Sequence, residues 1–257
     1  MQQLYPRSNA TYRVFLSVLT YNGLAVTQKF VKKFYKNTDS SLAVLAITDN
    51  GSTDGTGEFL DDLHAEHDNV LVTKNDENKG VIGGRNQGFD LFLDSDSELL
   101  CFLDNDQFVR EGWLEQHIAV LESGYGLVSV EAWEMSESFM PRRKNVSLKQ
   151  TFTYVGCGGM LIRREVVEKV GKFDEQFNPS WFEDPDYNIR TKDAGFQIGW
   201  NICARIDHLP HQTLGKSPNK REIFLRSYSR FKEKYKKRRL PRLKQRYIDV
   251  FDCVKSH

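Results

Sequence analysis

The stretch Leu99-Leu-Cys-Phe-Leu-Asp-Asn-Asp106 decides the fold: five apolar residues run straight into Asp104-Asn105-Asp106. A short, wholly apolar run suits a strand buried on both faces, and an acidic cluster directly after it lies at the strand's carboxyl end. A second stretch repeats the arrangement. Leu42–Thr48 (LAVLAIT) is apolar and β-branched, and it runs into Asp49-Asn-Gly-Ser-Thr-Asp-Gly-Thr56. In open α/β sheets ligands bind beyond the carboxyl ends of the strands, so two acidic clusters at equivalent positions point to a site at one end of one sheet. An aspartate at a strand end is also a common turn or cap residue, and either cluster alone is compatible with that role.

Outward from these two strands, apolar runs alternate with amphipathic stretches. Val14–Leu19 reads as a buried strand, and Leu24–Tyr35 places Phe30, Val31 and Phe34 at helical spacing. Asp54 can cap a helix running to about His67, with Phe59, Leu60 and Leu63 on its inner face. Val70–Thr73 is a short strand, Gly84–Leu93 a helix, and a further helix lies near Trp113–Glu122. This alternation predicts an α/β fold, a mostly parallel twisted sheet with helices on both faces. After about residue 130 the rhythm changes. Residues 134–150 are polar and read as a loop, and Thr151–Val155 leads into Gly156-Cys-Gly-Gly159. Helices over about Arg163–Val170 and Phe182–Ala194 and a strand over Phe196–Ile202 complete the body. Residues 1–215 read as one domain and 216–257 as a basic, helical extension.

Composition excludes several classes. The 257 residues are 39% hydrophobic and 28% charged, and 31 Phe, Tyr and Trp are too many for a largely disordered chain. No apolar run approaches the ~20 residues of a membrane-spanning helix. The start Met1-Gln-Gln-Leu-Tyr-Pro-Arg lacks a signal peptide's apolar core, which leads to the expectation of a cytoplasmic protein. Cys101, Cys157, Cys203 and Cys253 form no CxxC pair, so a zinc site is unsupported and free thiols in a reducing compartment are expected. The net charge of +1 is a cancellation. Lys216 to Arg246 holds 14 Lys/Arg against two Asp/Glu, leaving 22 basic and 33 acidic groups elsewhere.

Asp104 and Asp106, two apart after a buried strand, offer hard oxygen ligands suited to Mg²⁺ or Mn²⁺ bridging substrate phosphates. Neither GxxxxGK[ST] nor a GxGxxG after the first strand is present, so phosphate charge must be met by metal and side chains.

The ordered set of motifs resembles the family 2 glycosyltransferases of GT-A fold, the inverting class using nucleotide-sugar donors. The resemblance covers roughly residues 12–215. It rests on Thr20-Tyr21-Asn22, Asp49 to Thr56, Asn78-Lys-Gly80 through Gly84-Arg85-Asn86-Gln-Gly88, Asp104-Asn-Asp106, Phe173-Asp-Glu175, Glu183-Asp184-Pro-Asp186 with Arg190, and a downstream histidine. The resemblance implies transfer of a sugar from a nucleotide donor, UDP-sugar favoured over dTDP- or GDP-sugar, to an acceptor hydroxyl such as that of a lipid-linked glycan. It implies that Thr20, Asn22, Asp49, Asn50 and Arg85 line the nucleotide pocket. Arg85 otherwise reads as a surface ion pair, and Asp54 as a helix cap. Asp106 would ligate Mn²⁺ or Mg²⁺, while Asp104 would hold the ribose hydroxyls or bind the metal through water. Asn105 departs from the all-acidic triplet. His208 or its rival His211 would complete the metal shell. Asp184 would be the general base, taking the acceptor hydroxyl's proton. Glu183 as the actor, or a pure helix-capping role, are its alternatives. Asp186 and Arg190 are four apart and suit a supporting ion pair, and Trp181 suits packing against a sugar face. A retaining GT-A transferase and a catalytically silent GT-like module remain as other readings.

From Glu222 to Arg239, Phe224, Leu225, Tyr228, Phe231 and Tyr235 recur every three or four residues among Lys and Arg, a basic amphipathic helix. Packing of its aromatic stripe on the body competes with peripheral attachment, through 216–246, to an anionic membrane surface at its inner face. Nucleic-acid binding lacks a recognised module.

Overall fold

The computed structural model describes residues 1–7, 10–143, 151–209 and 219–244. The first half comprises β1 (Gln2–Leu4), β2 (Val14–Thr20), α1 (Leu24–Asn37), β3 (Ala43–Asp49), α2 (Thr56–Glu66), β4 (Val70–Lys74), α3 (Gly80–Leu93), β5 (Leu99–Asp104), β6 (Gln107–Val109) and α4 (Trp113–Glu122). Then follow β7 (Leu127–Ser129), β8 (Ala132–Met135), β9 (Pro141–Arg143), β10 (Thr151–Phe152), β11 (Tyr154–Val155), β12 (Met160–Arg163) and α5 (Arg164–Val170). The chain continues with α6 (Glu183–Asp193), β13 (Ile198–Trp200), β14 (Ile206–His208), α7 (Lys220–Tyr235) and β15 (Leu243–Lys244).

Eight strands form the main sheet in the order β1-β4-β3-β2-β5-β12-β7-β13. β4, β3, β2 and β5 are parallel, as the alternation of strands and helices requires. β12 enters antiparallel between β5 and β7, and β1 adds an antiparallel edge. Successive residues of a strand face opposite sides. Val14, Leu16 and Val18 therefore meet Phe30 and Phe34 of α1, Leu60 of α2 and Trp113 of α4, while Phe15 meets Phe89 and Phe92 of α3 on the other face. Both faces are thus covered, and β2, β3 and β5 are buried along almost their whole length.

Two glycines set the distance between α3 and the sheet. A Cβ at Gly88 would overlap the Ser17 hydroxyl, and one at Gly84 would collide with Leu19. Without side chains at these two positions, one helical turn apart, α3 lies close on β2 and aims Arg85 at the sheet's carboxyl end. The helix also starts at Gly80, four residues before the sequence pattern indicates. Its first-turn amides find acceptors far along the chain: Val81 and Ile82 donate to the Pro179 carbonyl, and Gly83 to Asn178 Oδ1. A cap supplied from a hundred residues away leaves no local signature.

Helix α7 packs its aromatic stripe into the same core. Phe231 is fully buried and Tyr235 nearly so, and Phe182 contacts Phe224, Tyr228 and Phe231 at ring distances of 5.2–5.9 Å. Asp186 of α6, itself fully buried, accepts hydrogen bonds from Arg190 Nε at 2.8 Å and Tyr235 OH at 2.7 Å, and pairs with Lys234. The acidic start of α6 is in this way joined to the basic helix. Among the described residues no helix is long and apolar enough to cross a membrane.

One cysteine expectation is corrected. Cys101 and Cys157 are free and buried, but Cys203 is disulfide-bonded. Apolar neighbours around a cysteine say nothing about whether a second sulfur lies within bonding geometry, so the sequence reading of a free thiol at 203 fails. The compartment argument built on free thiols loses its support with it.

The packing of α7 makes a measurable prediction. Phe231→Ala lowers unfolding free energy in urea by about 3–5 kcal/mol, the cost of emptying a fully buried aromatic site. Lys232→Ala, one residue on but exposed, changes it by less than about 0.5 kcal/mol. Equal small effects at both positions would mean that α7 is not part of the core.

Candidate active site

Beyond the carboxyl ends of β2, β3 and β5 lies a cavity of about 580 Å³. Thr20, Asn50, Arg85, Asp104, Asp106, Trp181, Glu183, Asp184 and His208, all singled out in the sequence, line it. The turns after β3 and β5 therefore do converge, the first through Asn50 and the second through Asp104 and Asp106. His211 lies outside the described residues.

The metal-type group is assembled by two short strands. Asp104 ends β5, and β6 resumes at Gln107, where β14 pairs antiparallel with it in the register His208↔Gln107. The Leu209 amide donates to the Asp106 carbonyl at 3.0 Å, which locks His208 beside the triplet. Ligand atoms of Asp104, Asp106 and His208 all lie within 4.8 Å of one another. His208 Nε2 is 3.4 Å from Asp106 Oδ1, and Nδ1 is 3.3 Å from Glu131 Oε1. The buried Asp106 Oδ1 makes no hydrogen bond to the described residues. Two carboxylates and an imidazole around a polar cavity fit a divalent cation that keeps further positions open for phosphate oxygens. Burial alone would lower the His208 pKa, but the neighbouring carboxylates of Asp106 and Glu131 outweigh it and raise it to about 10. Without a cation the imidazolium therefore supplies the positive charge.

Asn105 has a different task from its neighbours. Its Nδ2 donates to Thr20 Oγ1 at 3.2 Å and Thr27 Oγ1 at 3.0 Å, tying the β5 turn to β2 and α1. The amide in the middle of the triplet thus braces the turn.

The loop after β3 is held by its own side chains. Asp49 Oδ1 accepts from the Ser52 amide at 3.0 Å and from the Ser52 hydroxyl, and Asn22 Oδ1 accepts from the Thr53 amide at 2.8 Å. Asp49 and Asn22 do not line the cavity; they shape the loop behind Thr20 and Asn50. Asp54 accepts from the first-turn amides of two helices, Leu24 of α1 at 3.0 Å and Thr56 of α2 at 3.2 Å. One carboxylate caps both.

Arg85 is buried inside the cavity wall, which removes the surface ion-pair alternative. Its guanidinium donates to Asp104 Oδ1 at 2.6 Å and to Glu183 Oε1 at 3.3 Å. Glu183 and Asp184 open α6, following Trp181 and Phe182, both at φ +71. Two consecutive non-glycine residues in the left-handed region are strained. Here they turn Trp181 toward the cavity while Phe182 points into the core. Asp184 Oδ1 and Glu183 Oε2 are buried without hydrogen-bond partners among the described residues. Burial pushes the Asp184 carboxyl well above the usual carboxylate range, Glu183 pushes it further, and Arg85 opposes both. Glu183 is raised for the same first reason, burial, again against Arg85. Asp186 and Arg190 pair as their spacing suggests, but away from the cavity: Asp186 also meets Lys234 of α7, and Arg190 donates to the Val170 and Lys172 carbonyls.

Lining residues missed in the sequence include Glu131, Trp133 and Lys220. Glu131 follows Leu127-Val-Ser-Val130, a shorter strand-then-acid signal than those at Asp49 and Asp104 and one interrupted by Ser129. Lys220 begins α7, so nothing local connects it with the cavity.

Comparisons with known proteins agree with this architecture. The chain is 29% identical over 200 residues to Glycosyltransferase AglE of Haloferax volcanii, covering 72% of this chain and 63% of that protein. To Pre-mycofactocin glycosyltransferase of Mycobacterium tuberculosis it is 25% identical over 169 residues, 60% of this chain and 35% of that protein. The chain therefore spans less than two thirds of either relative. A crystal structure of GalNAc-T7 with UDP, GalNAc and Mn²⁺ aligns over 88% of this chain and 48% of its own, with TM-score 0.70 and 16% identity. S. aureus TarS 1-349 in complex with UDP-GlcNAc aligns over 70% of this chain and 53% of its own, with TM-score 0.52 and 16% identity. The shared fold is that of the GT-A glycosyltransferases. The family model for Glycosyl transferase family 2 matches residues 16–171, from β2 through α5 and with Asp104 and Asp106 inside it, so the chain belongs to that family.

Proposed function

We propose that the protein is a metal-dependent, inverting glycosyltransferase that moves a sugar from a nucleoside-diphosphate donor to an acceptor hydroxyl. The observation that carries this reading is the Asp184 carboxylate. One of its oxygens is buried with no hydrogen-bond partner among the described residues, in the same cavity that holds Asp104, Asp106 and His208. In this reading Thr20 and Asn50 hold the nucleoside, braced by Asn22 and Asp49, and Asp104 with Arg85 orients ribose and phosphate. Asp106 and His208 hold Mn²⁺ or Mg²⁺, with Asp104 beside them. The cation would draw charge from the departing diphosphate. Asp184 accepts the proton of the acceptor hydroxyl as that oxygen attacks the anomeric carbon, and burial makes it a stronger base than an exposed carboxylate. Glu183 holds Arg85, and Trp181 supports the acceptor. The crystal structures of GalNAc-T7 with UDP, GalNAc and Mn²⁺ and of S. aureus TarS 1-349 with UDP-GlcNAc support a UDP-sugar donor, and the first supports the cation. Product anomeric configuration by NMR separates inversion from retention.

Two substitutions test the assignments. Asp184→Asn abolishes transfer, a loss of at least about 10²-fold, while UDP binding persists; near-normal turnover removes Asp184 as base. The same variant has a signed effect on stability. A carboxyl whose folded pKa is raised binds protons more tightly in the folded state, so its ionisation costs stability as pH rises. Asp184→Asn therefore melts higher than wild type at pH 8, and the gap closes toward pH 4. A variant that melts lower at pH 8 contradicts the buried, charge-strained carboxylate. Asp106→Ala weakens Mn²⁺-dependent UDP binding, read by calorimetry with and without Mn²⁺; an unchanged Mn²⁺ dependence counts against its ligand role.

A further inference from the structure

Glu131 is a cavity carboxylate that the proposed reaction leaves without a task. It sits between β7 and β8, and its own backbone is held: the Gly156 amide donates to the Glu131 carbonyl at 3.0 Å. Its side chain is largely buried, 13% exposed, and meets His208 at Nδ1. Asp106 meets the same ring at Nε2, the opposite nitrogen. Among the described residues the group of ligand atoms within 4.8 Å comprises Asp104, Asp106 and His208, without Glu131. Glu131 is therefore placed behind the ring from the cation position, not beside it.

We infer that Glu131 is the positioning residue for His208, holding its Nδ1–H so that the Nε2 lone pair is presented to a divalent cation at Asp104 and Asp106. A neutral imidazole carries one proton, and which nitrogen keeps it is set by the hydrogen bond made at the other. With a carboxylate at Nδ1, that proton stays there, and the proton displaced by the cation leaves from Nε2. Such outer carboxylates fix ring orientation and raise ligand basicity, and their loss commonly weakens metal binding about 10–100-fold. The inference rests on His208 being the ligand, as proposed above.

The test uses the full chain and Mn²⁺ alone, with free Mn²⁺ read by its EPR signal. Glu131→Ala weakens Mn²⁺ binding by about 10–100-fold, and Glu131→Gln, whose amide oxygen still accepts from Nδ1–H, recovers most of that loss. ¹⁵N NMR of the Mg²⁺-loaded wild type shows His208 protonated at Nδ1. If His208→Ala loses Mn²⁺ affinity but Glu131→Ala does not, the positioning role is overturned and the ligand role stands. If neither loses affinity, both are overturned. A Gln variant as weak as the Ala variant would assign the effect to charge or direct ligation, against the inference. Nδ1 unprotonated in the Mg²⁺-loaded wild type overturns it without any variant.

Discussion

Five carboxylates, Asp104, Asp106, Glu131, Glu183 and Asp184, face one cavity, and the bidentate grip of Arg85 on Asp104 and Glu183 is what lets them share it. Buried acids repel one another and resist desolvation, so a cluster of this kind folds only around compensating positive charge. Arg85 joins the end of β5 to the start of α6, and His208 does the same between Asp106 and Glu131. The rest of the architecture serves this constraint. Gly84 and Gly88 bring α3 near enough to β2 to deliver Arg85, and the β6–β14 pair brings His208 to the triplet.

The cluster also explains how stability and function are divided. Asp184 and Glu183 hold buried oxygens without partners among the described residues, which oppose folding, and the neighbouring packing offsets this cost. Phe182 inserts into the aromatic stripe of α7, while Asp186, two residues beyond Asp184, is satisfied by Arg190, Lys234 and Tyr235. The basic segment that balances the acidic body in the net charge thus meets part of that acidity directly. Much of its remaining charge, including Lys232, Lys237 and Arg239, is exposed.

The central strands and their acidic ends were legible because they are local. A wholly apolar run followed by Asp or Asn states both burial and polarity change within eight residues, at Asp49 and again at Asp104. Arg85 was legible as a residue of interest, but not its partners, which lie 19 and 98 residues away. The short strands β1, β6, β12 and β14 were not legible, since three or four residues carry too little periodicity to be told from a loop. The early start of α3 has a related cause, since the acceptors of its first-turn amides, Asn178 and Pro179, are distant in sequence.

In the proposed reaction the Asp104–Asp106–His208 group holds the divalent cation of a nucleoside-diphosphate complex. Anomalous diffraction from crystals grown with UDP and Mn²⁺ tests it most directly. A single strong manganese peak within coordination distance of Asp106 and His208 Nε2 is the expected result. A manganese peak elsewhere, or UDP bound in the cavity with no cation at these residues, contradicts it.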